Sequence, residues 1–210
     1  AGKRFPFRLA RAQLGASGLS AADNPHEART MSTPSEPDPV KRIASLIAAK
    51  EGILDRAISD LEDLYGPTDW VSPRMPFDRT RYYEREMGGP LARKFAAFEC
   101  LMSRQELPRT KLETNLLEEQ SREQGRRAVN IDPGFICLER LVLATGKNYT
   151  HRIYLSQGIY ADLTLVFHRK CFRPLAWTYP DYADAKTIEY FNALREAYKE
   201  QLRGSVPASS

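Results

Sequence analysis

The sequence predicts an α+β domain in which helices pack on a mixed, largely antiparallel sheet. A short apolar run at 43–49 leads directly into Ile53, Leu54, Ala57, Ile58, Leu61 and Leu64, which recur at helical spacing. Residues 159–168 alternate instead, with Ile159, Ala161, Leu163, Leu165 and Phe167 on one face and Tyr160, Asp162, Thr164, Val166 and His168 on the other. Further on, Ile188, Phe191, Leu194, Tyr198 and Leu202 form a second helical stripe. Single helices interleaved with groups of one to three strands give the α+β class.

Each element has a local reason. The run at 43–49 reads as a buried strand, and the helix after it is stopped by Gly66-Pro67, a left-handed cap followed by a breaker. Residues 70–75 and 81–87 read as extended, with Pro73 and Pro76 confining the first to an edge or loop. Gly88-Gly89-Pro90 then turns the second into a strand over 92–100, which makes a hairpin. Ser103 and Glu106 have capping-box spacing, Pro108 suits a first turn, and Leu112, Leu116 and Leu117 carry a helix toward Gly125. After a short strand at 128–131, Asp132-Pro133 reads as an N-cap and first helical residue, so 135–145 is expected to be helix. Residues 152–155, 159–168 and 171–177 form a three-stranded meander whose middle strand turns its odd-numbered side chains to the core. The last helix follows Asp184.

Composition bounds the function. The chain has 210 residues, 42% hydrophobic and 28% charged, and no apolar run nears the roughly 18–20 residues of a membrane helix. Its net charge of +4 is concentrated at one end: residues 1–30 carry +3 and residues 31–210 only +1. A folded part so close to neutral argues against a nucleic-acid partner. Residues 1–38 lack any apolar period and are expected to be disordered, as is the tail at 204–210, which leaves a single domain over 39–203. Residues 1–30 read either as an Arg-rich transit peptide or as sequence upstream of a start at Met31, and the string Met31-Ser32-Thr33 favours the second. Three widely spaced cysteines form no disulfide framework, which suits a cytoplasmic protein.

No standard catalytic motif is present. Gly146-Lys147 lacks the upstream glycine of a phosphate-cradling loop, because Leu141 stands there, and no dinucleotide fingerprint, zinc-protease helix or nucleophile elbow occurs. His168 and Cys171 offer two ligands at a hairpin turn, too few for a metal site, so no metal is expected and no cofactor is assigned.

Four segments are too rich in polar and aromatic residues for ordinary loops: PFDRTRYYEREMG at 76–88, NIDPGF at 130–135, HRIYLSQGIYADLTL at 151–165 and WTYPDY at 177–182. With these strings in this order, the chain from about Val40 to Tyr182 resembles the bacterial and archaeal family designated domain of unknown function 4416. The resemblance implies no activity. From the residues themselves, Glu86, Asp132, His151 and Asp162 are candidates for acid–base work. Tyr83, Arg152, Tyr160, Tyr179 and Asp181 are candidates for ligand binding.

Each has a plain structural reading as well. Asp132 serves as a helix cap, Asp181 as a turn residue, His151 as a donor to the backbone, the Tyr82-Tyr83 pair as half-buried sheet aromatics, and Tyr160, Asp162 and Thr164 as solvated residues on the mixed face of a strand. The functional reading requires convergence, because Arg152 beside His151 is costly to desolvate without carboxylates nearby. The sequence therefore favours a module that binds a small polar or anionic ligand, nucleotides included. A hydrolase or transferase using a carboxylate and His pair is the alternative, and a partner-docking module the third class.

Overall fold

In the computed structural model, which describes residues 33–78 and 83–205, β1 (Val40–Ala48) is buried along its whole length. It lies between two antiparallel neighbours with helices over both faces, which is why its sequence runs apolar instead of alternating. Ala44, Leu46 and Ala48 face α1 (Glu51–Tyr65), through its Leu54 and Leu61. Helix α1 ends at Gly66, whose φ of 86° favours glycine and whose N–H donates to the Glu62 carbonyl at 2.9 Å. Leu64, expected on the buried stripe, is exposed, and Tyr65 takes the inward position.

β2 (Thr68–Val71) and β3 (Met75–Pro76) are followed by α2 (Glu84–Met87), a single helical turn where the sequence predicted an extended hairpin arm. The N–H groups of Glu86 and Met87 both donate to the Tyr83 carbonyl, so local bonds take the donors a strand would need. The partners of β4 (Ala92–Met102) on that side are β2 and β3 instead. Residues 81 and 82 of the expected arm lie outside the described residues.

Ser103 and Glu106 form the predicted capping box around a 3-10 turn, which continues into α3 (Leu107–Gln120) with Pro108 in its first turn. Helix α3 stops at Gln120, short of Gly125. Its buried side chains include Lys111, Thr114 and Glu118, whereas Leu116 is exposed.

The helix expected at 135–145 is a hairpin of β5 (Val129–Ile136) and β6 (Arg140–Thr145). The apolar run there is continuous because both faces are covered, and Asp132-Pro133 sits inside β5 as strand residues. Ile131 directs its N–H and C=O away from β1, toward side chains of α3. By strand alternation the Pro133 nitrogen points the same way, so no ladder bond to β1 is lost.

β7 (Arg152–Ser156), β8 (Ile159–His168) and β9 (Cys171–Pro174) form the expected meander with β8 in the middle. Its turns, Gln157-Gly158 and Arg169-Lys170, each carry two positive φ values, the geometry that matches strand twist in tight hairpins. β8 does not sort its faces as predicted: Asp162 and Thr164 on the even side are buried along with Ile159 and Leu165. The reason is tertiary. Trp177 and Thr178 donate to the Leu163 and Thr164 carbonyls and fold the following chain over β8.

α4 (Pro180–Ala183) and α5 (Ala185–Ser205) complete the chain, with Phe191, Leu194 and Tyr198 buried as their spacing predicts. The strand order is β2-β4-β1-β5-β6-β8-β7, with β3 on β4 and β9 on β8, and every described pairing is antiparallel. Residues 37–205 belong to one unit, an α+β domain. Helix α5 includes Gly204 and Ser205, while residues 1–32 and 206–210, the bulk of the expected disordered ends, lie outside the described residues. Among the described residues no helix is long and apolar enough to cross a membrane.

Candidate functional site

The site begins with a break in the sheet. β5 and β6 pair only through Gly134, Phe135 and Ile136, so the strands separate beyond Gly134. Gly134 is where they are pressed together: a Cβ there would lie 2.4 Å from the Val142 carbonyl oxygen and 2.8 Å from Leu143 Cδ2. Past that point α3 takes the place of the missing strand. Lys111 Nζ donates to the Ile131 carbonyl at 2.8 Å, and the Ile131 N–H donates to Glu118 Oε1 at 2.7 Å.

The opening is a cleft of about 620 Å³. Its floor is the face of β4, β1 and β5 on which Arg93 and Phe95, Ser45 and Ile47, and Asn130 and Asp132 stand in cross-strand register. Its walls come from α3, the Thr145–Lys147 end of β6, the start of β7, and the segment leading through α4.

Charged side chains of both signs meet there in pairs. Lys111 lies 3.4 Å from Asp132 and 3.9 Å from Glu118. Arg127 lies 3.5 Å from both Glu86 and Glu118, and donates to the Asn130 side-chain oxygen at 2.8 Å, while Asn130 in turn donates to Asp132. Arg152 Nε donates to Asp162 at 2.8 Å, its Nη1 donates to the Lys147 carbonyl at 3.0 Å, and its Nη2 reaches the Tyr179 hydroxyl only at 3.5 Å. Arg93 is paired with Asp181 and enclosed by the rings of Phe77, Phe95 and Tyr182. Burial raises the Glu118 carboxyl above the ordinary glutamate range, and burial next to Asp132 pushes the Tyr83 phenol well above the usual tyrosine range.

Of the residues singled out in the sequence, Tyr83, Glu86, Asp132, Arg152, Asp162, Tyr179 and Asp181 all line this cleft. His151 and Tyr160 do not. His151 lies 3.5 Å from the same Asp162 oxygen that Arg152 reaches and stacks on Trp177 with ring centroids 5.0 Å apart, and Tyr160 packs against Tyr154. The cap and turn readings of two residues also change: Asp132 is a strand residue held by Lys111 and Asn130, and Asp181 is a half-buried partner of the buried Arg93.

Sequence reasoning missed Arg93, Lys111, Glu118, Arg127 and Tyr182. A signal for two of them was available, because Lys111, Asn115 and Glu118 recur at helical spacing as a polar stripe. Among the described residues no group of three His, Cys, Asp or Glu side chains could hold a metal ion. No curated protein and no solved structure matches the chain. The model of the family described as domain of unknown function, DUF4416, matches residues 38–198, and the chain belongs to that family.

Proposed function

We propose that the cleft binds a small polar ligand bearing an anionic group, a class that includes nucleotides and sugar phosphates. The observation that carries this is the gap beyond Gly134, which gathers Lys111, Arg127, Lys147 and Arg152 from separate segments into one opening of ligand size. Arg152 favours the reading most directly. Asp162 and the Lys147 carbonyl fix its plane, and among the described residues Nη2 has only a long contact to Tyr179, so one edge of the fork is ready for a carboxylate or phosphate. Tyr83 and Tyr179 add apolar faces with polar tips.

The test is a thermal-shift screen with nucleoside mono-, di- and triphosphates, sugar phosphates and inorganic phosphate. A ligand present at about 100 times its dissociation constant stabilises the folded state by about 2.7 kcal/mol. At least one member should raise the melting midpoint, and a screen in which none does overturns the reading.

A second reading, hydrolase or transferase chemistry, is favoured by Glu118. Its carboxyl, raised by burial, stands beside Arg127 and shares Lys111 with Asp132, so two carboxyl groups in different surroundings occupy one cluster. Under this reading Glu118→Gln abolishes turnover of a bound ligand and leaves its binding intact. Turnover that persists in the variant sinks it.

A further inference from the structure

At the floor of the cleft three buried polar atoms, Ser45 Oγ, Arg93 Nε and Tyr182 Oη, make no close hydrogen bond among the described residues, and the Ser45 and Tyr182 hydroxyls share only a weak contact with each other. They are neighbours. Ser45 stands opposite Phe95 on β4 and Asp132 on β5, the Phe95 and Tyr182 rings are 5.5 Å apart, and the Arg93 guanidinium lies 5.0 Å from the centre of the Tyr182 ring. All three residues are more than nine-tenths buried, with Ser45 1%, Arg93 6% and Tyr182 2% exposed, and Arg93 and Tyr182 line the cleft. Leaving one such group unpaired is unfavourable, and three at one place is a concentration that folding by itself does not call for.

The geometry points to an inner subsite, formed by Ser45, Arg93 and Tyr182, that receives an uncharged acceptor oxygen of the bound ligand, a hydroxyl or a carbonyl. The donors decide the chemistry. Arg93 Nε–H can only donate, and of the two facing hydroxyls one can donate to the other while the second turns inward, so an oxygen with two free lone pairs takes two donors and leaves none of the three groups unpaired. A second anion is disfavoured there. Asp181 already neutralises Arg93, and Asp132 adds a further negative charge beside Ser45.

This inference rests on the cleft being a ligand site. It divides the ligand in two: an anionic end at Arg152, and an uncharged oxygen-bearing end toward Arg93. Tyr179 and Asp181, two residues apart on one segment, contact these two ends and place them along a single wall.

The experiment measures melting midpoints of the wild type, Ser45→Ala and Tyr182→Phe, each without additive, with inorganic phosphate and with ribose 5-phosphate. Without additive both variants should melt no lower than the wild type, because each loses a buried hydroxyl that makes no close hydrogen bond. Ribose 5-phosphate should bind the wild type roughly tenfold more tightly than phosphate, and this preference should disappear in both variants. Variants that melt several degrees lower without additive would show that the hydroxyls serve the fold, and would overturn the subsite. If phosphate stabilises the wild type and ribose 5-phosphate adds nothing, the subsite falls and the anion site stands. If neither compound stabilises it, the ligand reading of the cleft falls, and the subsite with it.

Discussion

Lys111, on the buried face of α3, donates a hydrogen bond to the main-chain carbonyl of Ile131 at 2.8 Å, where a neighbouring strand would otherwise supply the donor. A lysine side chain thereby completes the edge of β5, and Glu118 completes the N–H of the same residue. The sheet can open at this point without orphaning buried backbone groups.

Replacing Lys111 should therefore damage the fold. Lys111→Met leaves the Ile131 carbonyl unpaired and removes the cation shared by Glu118 and Asp132. Breaking a buried pair from one side is expected to cost about 3 kcal/mol, read as a lowered midpoint in urea unfolding. An unchanged midpoint would mean that another group caps β5.

Glu118 makes stability depend on pH in a definite direction. Burial raises its folded-state pKa above the value of about 4.3 for an unfolded glutamate, so the folded state holds its proton more tightly. The contribution of this group is fully present below that unfolded value and is lost as pH rises through the raised folded one. Glu118→Gln should thus melt close to the wild type near pH 4, and progressively above it as pH rises toward about 7. A gap that narrows with rising pH would contradict the assignment.

Gly134→Ala tests the point from which the strands diverge. The added methyl would meet the Val142 carbonyl oxygen at 2.4 Å, and backbone cannot rotate aside as a side chain can. Overpacking of this kind costs at least about 1–3 kcal/mol, and the variant should show a correspondingly lower melting midpoint. Wild-type stability in this variant would show that the hairpin shifts freely.

Arg152→Lys separates charge from shape. The lysine keeps the positive charge but loses the planar fork held by Asp162 and the Lys147 carbonyl. Any phosphate-bearing compound that stabilises the wild type should bind at least about tenfold more weakly, with secondary structure unchanged by circular dichroism. Equal affinity would place the anion elsewhere in the cleft.

Much of the fold could be read from local pattern. The stripe from Ile53 to Leu61, the alternation at 159–168, the capping box at Ser103 and Glu106 and the stripe from Ile188 to Leu202 all became the elements they suggest, because the stripes and the alternation carry a regular apolar period and the box supplies helix-starting hydrogen bonds. Residues 135–145 misled because a run of apolar side chains without a period fits a helix or a strand buried on both faces, and only the helices packed on the sheet decide between them. The segment at 84–87 misled for the opposite reason. Its extended propensity was overruled by backbone bonds to Tyr83, since β4 already had β2 and β3 beside it.

The site divides along the same line. By itself the sequence determined which polar segments would supply side chains, since Arg152 beside His151 needed carboxylates and each of the other segments carries one. Only the tertiary structure decided which of them meet. The parting of β5 and β6 turned Asp132 and Asp162 into one opening, while strand register put Tyr160 outside it and His151, stacked on Trp177, does not line it. Lys111, Glu118 and Arg93 entered the site for the same physical reason. A gap in a sheet exposes backbone and buried charge that must be paired at once, and the groups able to do so lie far away along the chain and are gathered only by folding.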